Sequence, residues 1–229
     1  MDVSANNIFA SFPASLQKRL NTSITVHKFP AGKVLFGTQQ AISALYFPID
    51  CVISSIYEIY DGDEVQIACL GSHDICGDAI FWGHKQSPLR AEVLFPGQVL
   101  MLPAKEALYW FNNDRDFREL ILKASTKTSH QMLQKIACYR FHTIQQQLCY
   151  WLLEVADKID APILDVTHEQ IGHLLGVRRE GVSEAAHKLQ LKGIIDYKRG
   201  HIKIVDRKRL EQLTCECYND LKQLNRLIN

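Results

Sequence analysis

No apolar run in these 229 residues approaches the ~18 needed to span a bilayer. The amino-terminal MDVSANNIFA also lacks the basic-then-apolar order of a secretory leader. Both absences predict a cytoplasmic chain with no membrane partner. Neither charge is in excess: Lys+Arg 26 against Asp+Glu 25 leaves a formal net charge of +1, which excludes an acidic tail or a polybasic polymer. Gly-rich phosphate loops, nucleophile elbows and H-E-x-x-H are missing, and spacing alone brings no two carboxylates together, so the chain reads as a non-enzyme. The seven cysteines (Cys51, Cys69, Cys76, Cys138, Cys149, Cys215, Cys217) are odd in number and scattered. A chain of this size needs no disulfide staples, and they read as reduced, mostly buried thiols. His73 with Cys76, and Cys215 with Cys217, are the only close pairs and fall short of the three or four ligands a metal needs. No metal is therefore assigned. Cys215 and Cys217 are expected to help the last helix dock through Leu210, Leu213, Tyr218 and Leu221. The lack of an early cysteine cluster argues against an iron–sulfur sensor, and nothing singles out a haem ligand among His73, His84 and the cysteines.

What is present is unevenly distributed. Six of the seven prolines precede Pro162, at Pro13, Pro30, Pro48, Pro88, Pro96 and Pro103, and no glycine occurs between Gly97 and Gly172. The β-rich runs ITVHKF (from Ile24), KVLF (from Lys33), SALYF (from Ser43), CVISSIYEIY (from Cys51), EVQIACL (from Glu64), RAEVLF (from Arg90) and QVLMLP (from Gln98) fill that first half. Turns of Pro-Ala-Gly, Asp-Gly-Asp and Pro-Gly-Gln chemistry separate them. Short strands at this spacing predict a small antiparallel barrel or sandwich.

Beyond it, Phe117, Ile121, Ala124, Thr128, Met132, Ile136 and Tyr139 recur at steps of three and four, one stripe along a helix of about six turns. Such a stripe either packs on its own β domain or pairs with a second copy. The pairing reading makes Phe117, Ile121, Ala124, Thr128, Met132 and Ile136 the dimer seam. A further helix from His142 to about Lys158 puts Ile144, Leu148, Trp151, Leu152 and Val155 on one face. The expected organisation is a β domain over residues 1–113, a dimerisation helix and hinge over 114–139, and a C-terminal domain over 140–229.

The strongest local signal begins at Thr167, in THEQIGHLLGVRREGVSEAAHKLQLKGIIDYKRGHIKIVDRKRLEQL. Thr167 and Gln170 have capping-box spacing, Ile171, Leu174 and Leu175 form a short apolar face, and Gly176 ends the helix. A second helix over about Arg178–Leu191 would bury Val182, Ala185, Ala186 and Leu189. Two short helices across a Gly-containing turn predict a helix-turn-helix. IIDY and HIKIV around Lys198–Gly200 predict a β-hairpin with a basic tip, and so a winged helix-turn-helix. Val177 to Arg209 carries ten bases against four acids, a local +6 in a chain of net +1, as a phosphate-attracting surface requires.

With LLGVRRE–VS, RG–I–I–DR, FPIDCVISSIY and the TCECY ending, the chain resembles the cyclic-AMP receptor / fumarate-nitrate reductase regulator (Crp/Fnr) superfamily of bacterial transcription factors. The resemblance covers nearly the whole chain. It implies an α+β fold with an N-terminal β-roll, a double-stranded β-helix of cyclic-nucleotide-binding type. A long dimerisation helix and a C-terminal winged helix-turn-helix follow. It further implies a homodimer reading a near-palindrome in double-stranded DNA, with RNA polymerase as a further partner. Arg179 and Glu180 match the family's base-reading pair, suited to guanine O6/N7 and cytosine N4, with Ser183 and Glu184 as further base readers. Glu184 stands where an Arg is common, so no half-site carries over. Thr167, His168, Arg178, His187, Lys188, Lys198 and Arg199 are assigned to phosphates.

Relatives that bind cyclic nucleotide share a Gly-Glu-Leu, loop, Arg-Ser/Thr-Ala cassette. Here GDAIFWGHKQSPLRA, from Gly77, is degraded: Asp78 replaces the Glu, and Arg90 abuts Ala91 with no hydroxyl between. The family's base-touching hydroxyl pair falls near Met132 and Leu133, which are apolar, with Thr128 about a turn away. Asp78, Arg90, Thr128, Met132 and Leu133 are the candidate effector pocket, and no cofactor is assigned. The competing reading is a cyclic-nucleotide-type ligand-binding module whose winged helix serves protein contact.

Overall fold

The computed structural model describes residues 6–83, 86–159 and 161–228, the last five of them by backbone alone; His84 lies outside the described residues. Two compact units are formed, one chiefly by residues 1–55 and 68–130, the other by 56–67 and 131–227. Among the described residues no helix is long and apolar enough to cross a membrane.

The first unit opens with two short helices, α1 (Asn7–Ala10) and α2 (Ala14–Leu20). The Asn6 side chain caps α1 by accepting from the Phe9 N–H at 3.0 Å, and donates to the Pro48 carbonyl at 2.8 Å. All seven predicted strands form: β1 (Thr25–Phe29), β2 (Val34–Phe36), β3 (Ala44–Pro48), β4 (Val52–Glu58), β5 (Glu64–Leu70), β6 (Arg90–Phe95) and β7 (Gly97–Pro103). They make two sheets, β1-β7-β3 and β2-β6-β4-β5. In the first, antiparallel register sets Thr25 opposite Met101 and Ala44 opposite Pro103. The tip of the β4–β5 hairpin, residues 56–67, belongs to the second unit. A 3-10 helix (Asp78–Trp82) precedes β6, and α3 (Ala104–Asn113) leads into the long α4 (Arg115–Phe141).

The spacing of the apolar stripe predicts α4 correctly, but the seam expectation fails over its first half. Phe117, Ile121 and Ala124 lie in the core of their own unit with Phe9, Phe12, Phe47, Leu100 and Trp110. The Phe12 and Phe117 rings stack at 5.2 Å. Thr128 is also buried, its hydroxyl donating back to the Ala124 carbonyl. A β domain that leaves an apolar face open satisfies the stripe before any second copy can. The apolar surface left on α4 is Leu122, Leu133, Ile136 and Phe141, at 47, 65, 55 and 78% exposure. Of the expected seam, only Ile136 is in that set, and Met132 is half-buried. The same helix buries Lys127, which pairs with Asp74 at 3.0 Å and donates to the His73 carbonyl at 2.9 Å.

The second unit is built round α5 (Ile144–Ile159), whose residues from Gln147 to Ala156 are all buried. A helix enclosed on every side occupies the middle of a domain. Around it stand β8 (Ile163–Asp165), α6 (His168–Leu175), α7 (Arg179–Leu191), β9 (Ile195–Lys198), β10 (His201–Ile204), α8 (Arg207–Leu213) and α9 (Cys217–Ile228). The hairpin predicted around Lys198–Gly200 is β9–β10, and β8 adds a third strand on the far side of β10. Asp206 caps α8 by accepting from the Arg209 N–H. Tyr218 on α9 donates to Asp157 and accepts from Arg207, each at 2.7 Å, which holds the last helix against α5 and α8.

Candidate nucleic-acid interface

The capping box at Thr167 is complete. Its Oγ1 accepts from the Gln170 N–H at 3.2 Å, and Gln170 Oε1 accepts from the Thr167 N–H at 2.9 Å. Gly176 ends α6 in the left-handed conformation, φ 65°. The turn is tight enough that a Cβ on Gly172 would meet the Val177 carbonyl oxygen at 2.9 Å, so α6 can approach the chain leading into α7 only through a glycine. Arg178 is the N-cap of α7; its donor-only guanidinium cannot cap the helix and is exposed.

Val182, Ala185, Ala186 and Leu189 are the buried face of α7. At 100° per residue, Glu180, Glu184, His187 and Leu191 point directly away from that face, with Arg179 and Ser183 on one flank and Lys188 on the other. Arg178, Arg179, Glu180, Glu184, His187 and Lys188 are all exposed. Glu184 and Lys188 form an i,i+4 pair at 2.7 Å. At 69 and 55% exposure the pair is weakly held and can open to a phosphate or a base.

His168 is turned inward rather than towards a phosphate. Its Nδ1 lies 3.0 Å from Ser183 Oγ, its ring stacks on Tyr197 at 3.9 Å, and its Nε2 is buried. It positions α7 through Ser183, and that bond commits the Ser183 hydroxyl as well. Thr167 likewise spends its hydroxyl on the capping box. Burial, then the nearby Arg179 charge, lowers the His168 pKa below its ordinary 6.5. Between 6.5 and the lowered folded value, the unfolded chain holds the extra proton. The His168 contribution is therefore intact above pH 6.5 and declines as pH falls through that window. Thermal melts from pH 7.5 to 5 should show wild type losing stability relative to His168→Asn as the solution is acidified. Parallel curves would place the ring in solvent.

The wing tip is a two-residue turn in which Arg199 and Gly200 both have positive φ, 43° and 89°. A hairpin of right-handed twist requires this geometry, and it projects Lys198 and Arg199 into solvent. Lys198 also pairs with Asp196 at 2.9 Å. The phosphate-assigned side chains on offer are thus Arg178, His187, Lys188, Lys198 and Arg199.

One participant has no signal near the motif. The β4–β5 hairpin tip closes a cleft of about 640 Å³ lined by Asp63 and Glu64 on one wall and by Glu169, His173, Arg178 and Arg179 on the other. Glu64 approaches His173 at 3.8 Å, and the Tyr139 hydroxyl bridges the Gln66 and Leu174 carbonyls. More than a hundred residues separate the two walls in sequence, so only the fold brings these acids opposite Arg178 and Arg179.

The candidate effector residues are scattered in role. Arg90 is bonded to Glu92 on its own strand. Asp78 is bonded to Ser125 on α4, and burial raises its carboxyl pKa. Leu133 is 65% exposed, which suits a surface contact better than a pocket wall.

Residues 146–213 match the Crp-like helix-turn-helix domain. Comparison with curated protein sequences returns no match. Among solved structures, a putative transcriptional regulator of the Crp/Fnr family from Eubacterium rectale is 18% identical, covering 91% of this chain and 98% of that one with a TM-score of 0.74. FixK2 from Bradyrhizobium japonicum is 18% identical over 84% of this chain and 98% of its own, with a TM-score of 0.70. The c-di-GMP responsive global regulator CLP of Xanthomonas campestris is 16% identical over 84% and 99%, also with a TM-score of 0.70. Similarity at this level establishes a shared fold over nearly the full length of each.

Proposed function

We propose that this chain, whose C-terminal domain is a Crp-like helix-turn-helix domain on the Crp/Fnr fold, is a sequence-specific DNA-binding transcriptional regulator. It acts as a homodimer on a near-palindromic operator. The observation that carries the reading is the exposed amino-terminal half of α7, where Arg178, Arg179, Glu180 and Glu184 stand clear beside a wing tipped by Lys198 and Arg199. Arg179 and Glu180 read bases. Arg178, His187, Lys188, Lys198 and Arg199 fix register on the phosphates. RNA polymerase is the further partner if the chain acts as an activator.

The hairpin tip gives gating a location. Asp63 and Glu64 face Arg178 and Arg179 across the cleft, where their negative charge disfavours an approaching phosphate, so a state in which the tip leaves the cleft is the more DNA-competent one. An effector acts by favouring one state over the other.

Selection of bound duplexes from a random pool tests the reading. The expected result is a two-fold symmetric site whose affinity falls steeply with salt as counterions are released. No enriched site would instead support the ligand-binding module. On the selected site Arg179→Ala is expected to cost about 1–3 kcal/mol and relax preference at one base pair per half-site. Lys198→Ala should weaken every sequence alike and flatten the salt slope. An unchanged preference in Arg179→Ala would move base reading to other residues of α7.

A further inference from the structure

Read along the chain, Cys215 and Cys217 are an isolated C-x-C, too few ligands for a metal. The fold supplies the rest. Cys138 lies near the end of α4 and His142 four residues on, with the His142 N–H still bonded to the Cys138 carbonyl at 3.1 Å. The two side chains therefore share one helical face. The α8–α9 corner brings Cys215 and Cys217 to that face. The three sulfurs and one ring nitrogen all lie within 4.8 Å of one another.

We propose that Cys138, His142, Cys215 and Cys217 form a structural zinc site. Tetrahedral zinc with bonds of about 2.3 Å to sulfur and 2.0–2.1 Å to nitrogen requires S···S edges of about 3.8 Å and S···N edges of about 3.6 Å. Cys138 Sγ and Cys215 Sγ are 3.5 Å apart, and Cys217 Sγ and His142 Nδ1 are 3.6 Å apart. The sulfur separation is far beyond the ~2.05 Å of a disulfide. Simple packing of buried thiols explains neither the ring nitrogen aimed into the cluster nor what stands behind it. His142 Nε2 is 3.3 Å from Glu216 Oε1, the carboxylate–histidine arrangement that fixes a ligating imidazole with its other nitrogen towards the metal. Cys138, Cys215 and Cys217 are buried, and the His142 side chain is only 17% exposed.

Three thiolates and an imidazole select a thiophilic ion, and four protein ligands leave no open position for water. The site is thus a clamp rather than a catalyst. It ties the carboxyl end of α4 and its turn into α5 to the start of α9. Tyr218, next to Cys217, already anchors that helix through Asp157 and Arg207.

The test is metal content of the full-length protein purified without chelator under reducing conditions, followed by cobalt(II) substitution. One zinc per chain is expected, with cobalt giving the intense thiolate charge-transfer and tetrahedral ligand-field bands. Cys215→Ser/Cys217→Ser should lose both signals, whereas Cys51→Ser, in the other unit, should keep them. His142→Cys, which restores a fourth ligand, should retain zinc while His142→Ala binds it at least tenfold more weakly. That pair decides the matter should the double variant fail to fold. A reduced chain that takes up neither zinc nor cobalt overturns the site. So does a Cys138–Cys215 disulfide in the anaerobic preparation, full zinc retention in the double variant, or a stoichiometric iron or copper ion that zinc cannot replace.

Discussion

Replacing Glu154 with Ala is expected to cost about 3–5 kcal/mol of stability, the penalty for leaving a buried charge without its partner. Glu154 and Lys135 are each 2% exposed and 2.8 Å apart. Lys135 also donates to Gln66 Oε1 at 3.3 Å, and the Trp151 indole N–H donates to that same oxygen at 2.9 Å. Glu154→Ala strips the lysine of its carboxylate where no water can replace it. Removing both charges has a different sign of argument, because a buried pair exchanged for apolar groups of similar volume is often neutral. Denaturant unfolding followed by tryptophan fluorescence should show Lys135→Met/Glu154→Leu recovering at least half of what Glu154→Ala loses. A single-variant cost below about 1 kcal/mol would mean that solvent reaches the pair.

That pair marks where the sequence stops being readable. The seven strands, the capping box and the wing turn each rest on residues close together in the chain, with turn chemistry or helical period giving the local conformation directly. Lys135 and Lys127 are charged side chains of a kind ordinarily left in solvent, and their carboxylates, Glu154 and Asp74, come from other elements. The α4 stripe shows the same limit. Spacing identifies Phe117, Ile121 and Ala124 as a buried face, but says nothing of what buries them. Among the elements not anticipated are α1, α2, α3 and β8; the last is three residues long and exists through its pairing with β10.

The candidate interface divides along the same line. Arg178, Arg179, Glu180 and Glu184 are legible because a helix-turn-helix fixes their exposure by local geometry. The inward rotation of His168 onto Ser183 depends on Tyr197 stacking from the wing. The acids opposite the arginines come from a hairpin in the first third of the chain. Cys138 and Cys215 are 77 residues apart, a separation at which sequence spacing holds no metal-binding signal.

Aspartate at both Leu133 and Ile136 is expected to convert the protein to monomers and to lower affinity for its full operator by about 10²–10⁴-fold, the gain that linked half-site binding supplies. The exposed apolar residues of α4 decide the choice of positions. Leu122, Ser129 and Ile136 are seven apart, and Thr126, Leu133 and Arg140 interleave with them at the alternate steps of a heptad, so one narrow seam runs along α4 on the side opposite Phe117, Ile121 and Ala124. Across a two-fold axis each new carboxylate would meet its own copy, and like charges excluded from water are strongly unfavourable. The recognition helices must sit about 34 Å apart to read successive turns of the duplex, a spacing that a monomer cannot supply. Sedimentation should give a single-chain mass, with half-site binding preserved because α7 and the wing are untouched. Ile121→Asp is the contrasting change: it places a carboxylate in the core of the first unit and should unfold it rather than dissociate a dimer. A dimer that survives Leu133→Asp/Ile136→Asp would move the contact between copies off this helix, and the search would turn to the exposed Tyr57, Ile59 and Tyr60 near the hairpin tip.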